Sequence, residues 1–247
     1  MEAETARELY VWEKNHIEVC KELNLFEGKD VLEVGGTTPE YVSEQLNTKS
    51  WTCIDPWVGV NASNDNYKII SADIATLDLP DHSFDLIIST NAFEHIHNLK
   101  KGLKNMKRML RPGGYLSALL GPIWSCAKGH HLWVYDEAGK IYSFNDDTLP
   151  QWSHLLFSEQ EMRTYLTQKF SQVMVDEIMK DIYSKAIINH MFYDDYIELI
   201  EGLGLEVVEL RDWHKPIVPD KETQQQLVEK WGKKNFSTVS IKILLKA

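Results

Sequence analysis

The chain alternates short apolar runs with longer amphipathic stretches. Residues 31–34 (VLEV) form a brief run with two β-branched side chains, Gly35-Gly36 interrupts it, and from Pro39 the apolar spacing and the glutamates take on a helical period. The expected unit is strand, tight turn, helix. Residues 51–54, 67–71, 84–89 and 115–120 read as further strands. Of these, 84–89 (FDLIIS) is apolar enough for a central parallel strand covered on both faces. Between the last two strands, Leu99, Leu103, Met106 and Leu110 share one stripe. Lys100, Lys101, Lys104, Lys107 and Arg108 lie mostly off it, a solvated helix face that Arg111-Pro112-Gly113-Gly114 ends. Residues 5–24 predict an opening helix, with Thr5 and Glu8 as a capping box and Trp12, His16, Val19 and Leu23 on one stripe. Trp12 is expected in the core; contact of Tyr10 or Trp12 with a ligand is the alternative.

Composition narrows the function classes. At 247 residues the chain can bury a sizeable core as one α/β domain with insertions. Its 26 Lys and Arg against 37 Asp and Glu leave a net charge of -11, which repels a phosphate backbone, so no nucleic-acid partner is expected. Cys20, Cys53 and Cys126 form no CxxC pair, which fits a reducing compartment and argues against a disulfide framework. The N-terminus lacks a basic region followed by an apolar core, and later apolar runs fall short of membrane-spanning length. A soluble cytoplasmic protein without a membrane partner, monomeric or homodimeric, is the expectation.

Two features supply candidate chemistry. A glycine turn between a parallel strand and a helix faces the crevice beyond the strand ends, where a nucleotide-like ligand meets bare backbone and free amides. About 20 residues on, Asp55 ends the second strand, placed to accept hydrogen bonds from a ribose diol; an Asx turn ahead of Pro56 is the structural alternative.

Taken in order, VLEVGG, Asp55, Ala72-Asp73-Ile74, LPDHSFDLIISTNAFEHI and LRPGGYL resemble a class I S-adenosylmethionine-dependent methyltransferase. The resemblance implies a doubly wound, seven-stranded, mostly parallel sheet of Rossmann-like type, with S-adenosyl-L-methionine as cofactor. It would place Glu33, Gly35 and Gly36 at the methionine part of the cofactor, Asp55 at the ribose, Asp73 and the Ile74 backbone at the adenine edge, and Asn91 and Ala92 beside the sulfonium. Glu94-His95 resembles a pair that recurs in the family, with His95 a structural or cofactor-side residue. The first turn departs from the family pattern: Thr37 and Pro39 stand where the second and third glycines would fall, leaving Gly36 to supply freedom and Thr37 or Thr38 to bond the cofactor or cap the helix.

The family's topology calls for a helix and an antiparallel strand pair after the fifth strand. Those elements read at 193–203, 205–210, 221–231 and 237–245, which leaves a long insertion. The expected organisation is one domain, 1–247: an N-terminal helical cover (1–28), a Rossmann-like core (29–122 and 186–247) and a substrate cap (123–185). The cap opens on GPIWSCAKGHHLW at the tip of the fifth strand. His130 and His131 are its candidate base and substrate ligand, because an alcohol acceptor must lose a proton as it attacks a sulfonium methyl. Trp124, His190 and Tyr193 are candidate substrate contacts. Trp124, Trp133, Tyr135, Trp152 and Phe157 are read mostly as the cap's own core, and Ser158 with Glu161 as a capping box. His130, His131, His154 and His190 with Asp194 or Asp195 lack regular ligand spacing, so no metal is expected.

The expected function is methylation of a small molecule, on oxygen rather than nitrogen given the histidines. A phosphorylated or sugar-like acceptor follows if Lys128, Arg163 or Arg211 points inward, and the aromatic cap fits a planar compound as well. Alternatives are an N-methyltransferase or protein methyltransferase, a non-catalytic nucleoside-binding regulator, and a nicotinamide-dependent oxidoreductase, whose GxGxxG spacing the chain lacks.

Overall fold

The computed structural model describes residues 8–59, 61–184 and 187–247. In chain order its elements are α1 (Val11–Glu22), β1 (Asp30–Val34), α2 (Glu40–Gln45), β2 (Ser50–Ile54), β3 (Ala62–Ser63), β4 (Tyr67–Ile70), β5 (Phe84–Thr90), α3 (Leu99–Met109) and β6 (Leu110–Leu120), then β7 (Trp133–Tyr135) and β8 (Ile141–Ser143). After these come α4 (Ser153–Leu156), α5 (Glu159–Thr167), α6 (Gln172–Tyr183), α7 (Tyr193–Glu201), β9 (Glu206–Asp212), α8 (Lys221–Trp231) and β10 (Ile241–Lys246). The main sheet runs β3-β4-β2-β1-β5-β6-β10-β9. β4, β2, β1, β5 and β6 are parallel, and β10 is antiparallel to both its neighbours. The seven expected strands are present, and the two-residue β3, antiparallel to β4, adds an eighth at the edge. Strand order reverses between β1 and β5, so the crevice of a doubly wound sheet opens there.

Period-two alternation sorts the strands' side chains to two faces. Leu32, Val34 and Ile87 face Leu103 and Met106 of α3 and Tyr196 and Ile200 of α7. Val31, Trp51 and Cys53 meet Ile17 and Cys20 of α1 and Val42 of α2. All three cysteines are free and buried.

α1 sits differently from its apolar stripe. Its buried residues are Glu13, His16, Ile17 and Cys20, whereas Trp12 is 46% exposed and stacks on Tyr10 at 4.6 Å between ring centroids. Sheet polarity explains the rotation. β5 and β6 present hydroxyls to this helix, and His16 answers both, with Nδ1 2.8 Å from Thr90 Oγ1 and Nε2 2.7 Å from Ser117 Oγ. Leaving those hydroxyls unpaired under a tryptophan would cost more than the exposed ring gives up. Through these bonds His16 pins α1 against the ends of β5 and β6, with Tyr10 and Trp12 exposed one turn before it. Thr5 of the expected capping box lies outside the described residues; the Glu13 carboxylate accepts the Tyr10 N–H at 2.8 Å.

The cap builds a second core from Trp124, Leu132, Trp152, Leu155, Met162, Val175 and Ile178, closed by Leu227 of α8 and Phe236. Trp133 and Tyr135, expected inside it, are exposed on β7, whose only buried residue is Val134. The Ser158–Glu161 capping box forms as read, with the Ser158 N–H donating to Glu161 Oε2 at 2.7 Å.

Candidate functional site at the strand tips

The glycine turn is locked by a carboxylate instead of by further glycines. Glu33 shares a face with Val31, so its side chain turns under the loop. Its Oε2 accepts the Thr38 N–H (2.9 Å), the Trp51 indole N–H (3.1 Å) and the Cys53 thiol (3.1 Å), and its Oε1 accepts the Thr38 hydroxyl (2.8 Å). Burial and the adjacent Glu33 charge push the Cys53 thiol up, which keeps it a donor. Thr38 therefore bonds Glu33 and neither caps α2 nor faces a ligand, and Pro39 occupies the N-cap. Gly36 is required by this arrangement, since a Cβ there would lie 2.2 Å from Glu33 Oε1. Gly35, at φ 78°, lies against the β5 tip; a Cβ on it would fall 2.1 Å from Ala92 Cβ. Thus Gly35 and Ala92 floor the crevice at the switch point by direct contact of two strand tips.

Asp55 and Asp73 follow at the tips of β2 and beyond β4. Each uses one oxygen in an Asx turn: Asp55 Oδ1 accepts the Trp57 N–H at 2.8 Å, and Asp73 Oδ1 accepts the Ala75 N–H at 2.7 Å. The Asx turn read for Asp55 forms, and it fixes the carboxylate while leaving its second oxygen. Neither aspartate joins an ion pair among the described residues, so acceptor capacity remains for a diol and an amine. Ile74 is buried under α3, and Asn105 of that helix donates to the Ile74 and Leu77 carbonyls at 2.9 and 2.6 Å, holding the loop in place.

At the β5 and β6 tips, the 73–77 side of the crevice gives way to a polar cluster. Asn91 adopts φ 50°, a left-handed conformation asparagine tolerates, and Ala92 leads into a 3₁₀ turn, Phe93–His95. Glu94 is fully buried; its Oε1 accepts the Gly121 N–H at 2.8 Å, and burial raises its carboxyl above the usual range. Asn189 clamps this turn from the far side of the cap, its backbone N–H donating to the Glu94 carbonyl (2.8 Å) and its side-chain amide to those of Phe93 (2.8 Å) and Ile96 (3.2 Å). The Glu94-His95 pair is legible from the sequence as a resemblance, at the end of an apolar strand, whereas the Asn189 clamp carries no signal there.

The two adjacent histidines diverge. His131, at φ 51°, packs edge-on against His95 with ring centroids 5.2 Å apart, and burial lowers it to about 3. His130 turns into the cap, 5.7 Å from the His154 ring, and its Nδ1 accepts the Leu132 N–H at 3.1 Å. Only His131 reaches the strand tips. At that pKa it is neutral at pH 7 and a weak proton acceptor, better suited to binding than to removing a proton. Trp124 is buried and stacks on His190 at 3.8 Å; Tyr193, half-buried, opens α7 with its N–H donating to Ser125 Oγ at 3.2 Å. Of the three, His190 directly follows Asn189, which holds the Glu94 turn. Lys128, Arg163 and Arg211 do not point inward as free cations. They pair with Asp147, Asp176 and Glu209 at 3.6, 2.6 and 2.5 Å.

Known proteins agree with this architecture. A family model described as "Methyltransferase domain" matches residues 32–118, from β1 to β6 and short of the cap. The ubiquinone/menaquinone biosynthesis C-methyltransferase UbiE of Pseudoalteromonas translucida is 29% identical over 121 residues, covering 49% of this chain and 45% of the relative. Demethylmenaquinone methyltransferase of Corynebacterium efficiens is 30% identical over 99 residues, 38% and 43% of the two chains. The chain spans about half the length of these relatives. Among solved structures, an S-adenosylmethionine dependent methyltransferase from Mesorhizobium loti superposes with a TM-score of 0.54 at 13% identity, over 94% of this chain and 96% of the other, a likeness of fold. Residues 32–118 thus match the methyltransferase-domain family, and the chain has the Rossmann-like fold of class I S-adenosylmethionine-dependent methyltransferases.

Proposed function

We propose that the protein binds S-adenosyl-L-methionine across the tips of β1, β2, β4 and β5 and methylates a small molecule held beneath the cap, on an oxygen atom. One observation carries the reading: Gly35, Ala92, Asp55 and Asp73, dispersed over 58 residues, meet along one sheet edge, offering bare backbone, a diol acceptor and an amine acceptor in the order an adenosyl group requires. When bound, that cofactor supplies an electrophilic methyl group on a sulfonium. The remaining work belongs to the chain. Asp55 and Asp73 hold the nucleoside through their second oxygens, Gly35 and Ala92 set the depth of the crevice, and Asn91 presents its backbone beside the reacting atoms. Tyr10 and Trp12 close the rim. His131 and Glu94 orient the acceptor, so that catalysis is chiefly alignment. The aromatic cap favours a planar acceptor. A phenol fits, and a deprotonated phenol is nucleophilic at oxygen and at ring carbon, so the C-methyltransferase names of the relatives give carbon as the second acceptor atom.

Calorimetry with S-adenosylmethionine tests the first half. Binding with one site per chain is expected, and Asp55→Ala weakens it by about tenfold or more, the loss of one charge-assisted hydrogen bond. An absence of binding sinks the proposal. Trp12→Ala removes an exposed ring without disturbing the core, so it should weaken cofactor binding several-fold at unchanged thermal stability; equal affinity would take α1 out of the site.

A further inference from the structure

We propose that Glu94, His95 and His131 bind a divalent transition-metal ion of the zinc class at the acceptor end of the crevice. One ligand atom from each residue lies within 4.8 Å of the other two. Around an ion at about 2.1 Å, ligand atoms stand roughly 3.3 to 4.2 Å from each other, so closure takes about an ångström of side-chain motion at most. His95 is exposed and can supply that motion.

The groups are oriented as ligands are. His95 Nδ1 lies 2.5 Å from the Ile187 carbonyl and donates to it, which fixes the tautomer that leaves Nε2 with its lone pair. The Gly121 N–H holds one oxygen of Glu94, and the other, Oε2, is buried without a hydrogen-bond partner. His131 Nδ1 is likewise buried and unpartnered. Among the described residues no cation pairs with Glu94, and a buried, uncompensated carboxylate beside an orphaned imidazole nitrogen is a costly arrangement that a divalent ion resolves. Asn189 adds rigidity by clamping the Phe93–Ile96 turn from the opposite side.

Two imidazoles and one carboxylate suit zinc, cobalt or iron over magnesium, and three protein ligands leave coordination positions open for an acceptor oxygen. The set differs from the four-histidine cluster weighed from sequence, because His130 and His154 point into the cap core and only His131 reaches the tips. This site deepens the methyl-transfer reading and rests on it for its purpose: an ion here would hold a hydroxyl-bearing acceptor and favour its deprotonated form.

The experiment uses the full, tag-free chain after chelator treatment. Zinc titrated by calorimetry and cobalt followed by its visible absorption are expected to bind one ion per chain, with a spectrum of low-symmetry nitrogen and oxygen ligation. His95→Ala, at an exposed position, should reduce metal affinity by more than about 100-fold while thermal unfolding of the metal-free chain shifts little. Glu94→Gln should do the same even if its stability shifts. Cofactor binding without metal binding overturns the site and spares the methyl-transfer reading; metal binding that survives both substitutions also overturns it. Metal binding lost in the variants, in a chain that does not bind cofactor, upholds the site and removes its link to methyl transfer.

Discussion

Replacing Gly35 with alanine is expected to abolish measurable cofactor binding and to destabilise the fold by about 2 to 4 kcal/mol, from backbone strain plus overpacking. Gly35 sits at φ 78°, where a side chain costs about 1 kcal/mol or more. The collision costs more than the strain. An added Cβ would fall 2.1 Å from Ala92 Cβ, against an ordinary carbon contact of about 3.5 to 4.0 Å, so the tips of β1 and β5 must part by roughly 1.5 Å. That displacement opens the switch point itself and carries the Glu33–Thr38 lock with it. Gly113 provides the control. Its φ is 79°, but an added Cβ meets nothing within 4 Å, so Gly113→Ala should show the strain alone, about 1 kcal/mol, with cofactor affinity intact. Calorimetry and denaturant unfolding on the two variants separate the contributions. If Gly113→Ala loses binding as Gly35→Ala does, the contact with Ala92 is not what shapes the crevice.

The same turn shows what a sequence reveals and what it withholds. Strand and helix periods locate every core strand, because residues 31–34, 51–54 and 84–89 are buried on both faces and admit few alternatives. The missing second and third glycines look like a defect in the ligand loop. In the fold, Thr38 replaces glycine's freedom with two hydrogen bonds to Glu33, a long-range fact that spacing along the chain does not encode. α1 departs from its pattern for a related reason: its apolar stripe points Trp12 inward, but the partner surface carries Thr90 and Ser117, contributed by strands more than 70 residues away. The histidine pair divides in the same manner. Adjacent residues at His130 and His131 are legible as chemistry, yet which of them meets the strand tips depends on a left-handed backbone at His131 that composition does not announce.

The division between sheet and cap also separates what relatives can tell. The matching family model covers residues 32–118, the part that presents Glu33, Gly35, Asp55, Asp73 and Asn91. Cap residues Trp124 and His131, and the Asn189 clamp on Glu94, lie outside it. On the proposed reading, the matched part would set cofactor geometry and side chains outside it would set acceptor choice, as where loops shape specificity on a shared scaffold.

Acid should weaken this fold earlier than its carboxylates alone would dictate. Burial holds His16 at about 3, His131 at about 3 and His154 at about 4, against an ordinary value near 6.5, so all three are neutral when folded at pH 7. The unfolded chain takes up protons below about 6.5 and the folded chain does not, so stability is complete above that pH and falls as pH drops toward 3 to 4. At pH 5 each histidine costs about 2 kcal/mol, and three together approach a large share of a typical domain's 5 to 15 kcal/mol. Glu94 acts in the opposite sense: burial raises its carboxyl, so the folded state binds a proton more readily as pH falls, which offsets part of the loss. Urea unfolding of the chelator-treated chain at pH 7, 6 and 5 should show declining midpoints. His16→Gln, which keeps a bond toward Thr90 or Ser117 but does not titrate, should remove about a quarter of the histidine slope at some cost at pH 7, because burial holds His130 well below its ordinary value as well. Glu94→Gln should steepen the slope. A profile flat from pH 7 to 5 would mean that the three imidazoles are charged inside the fold, and the hydrogen bonds joining α1 to β5 and β6 would then have to be drawn with His16 as a double donor.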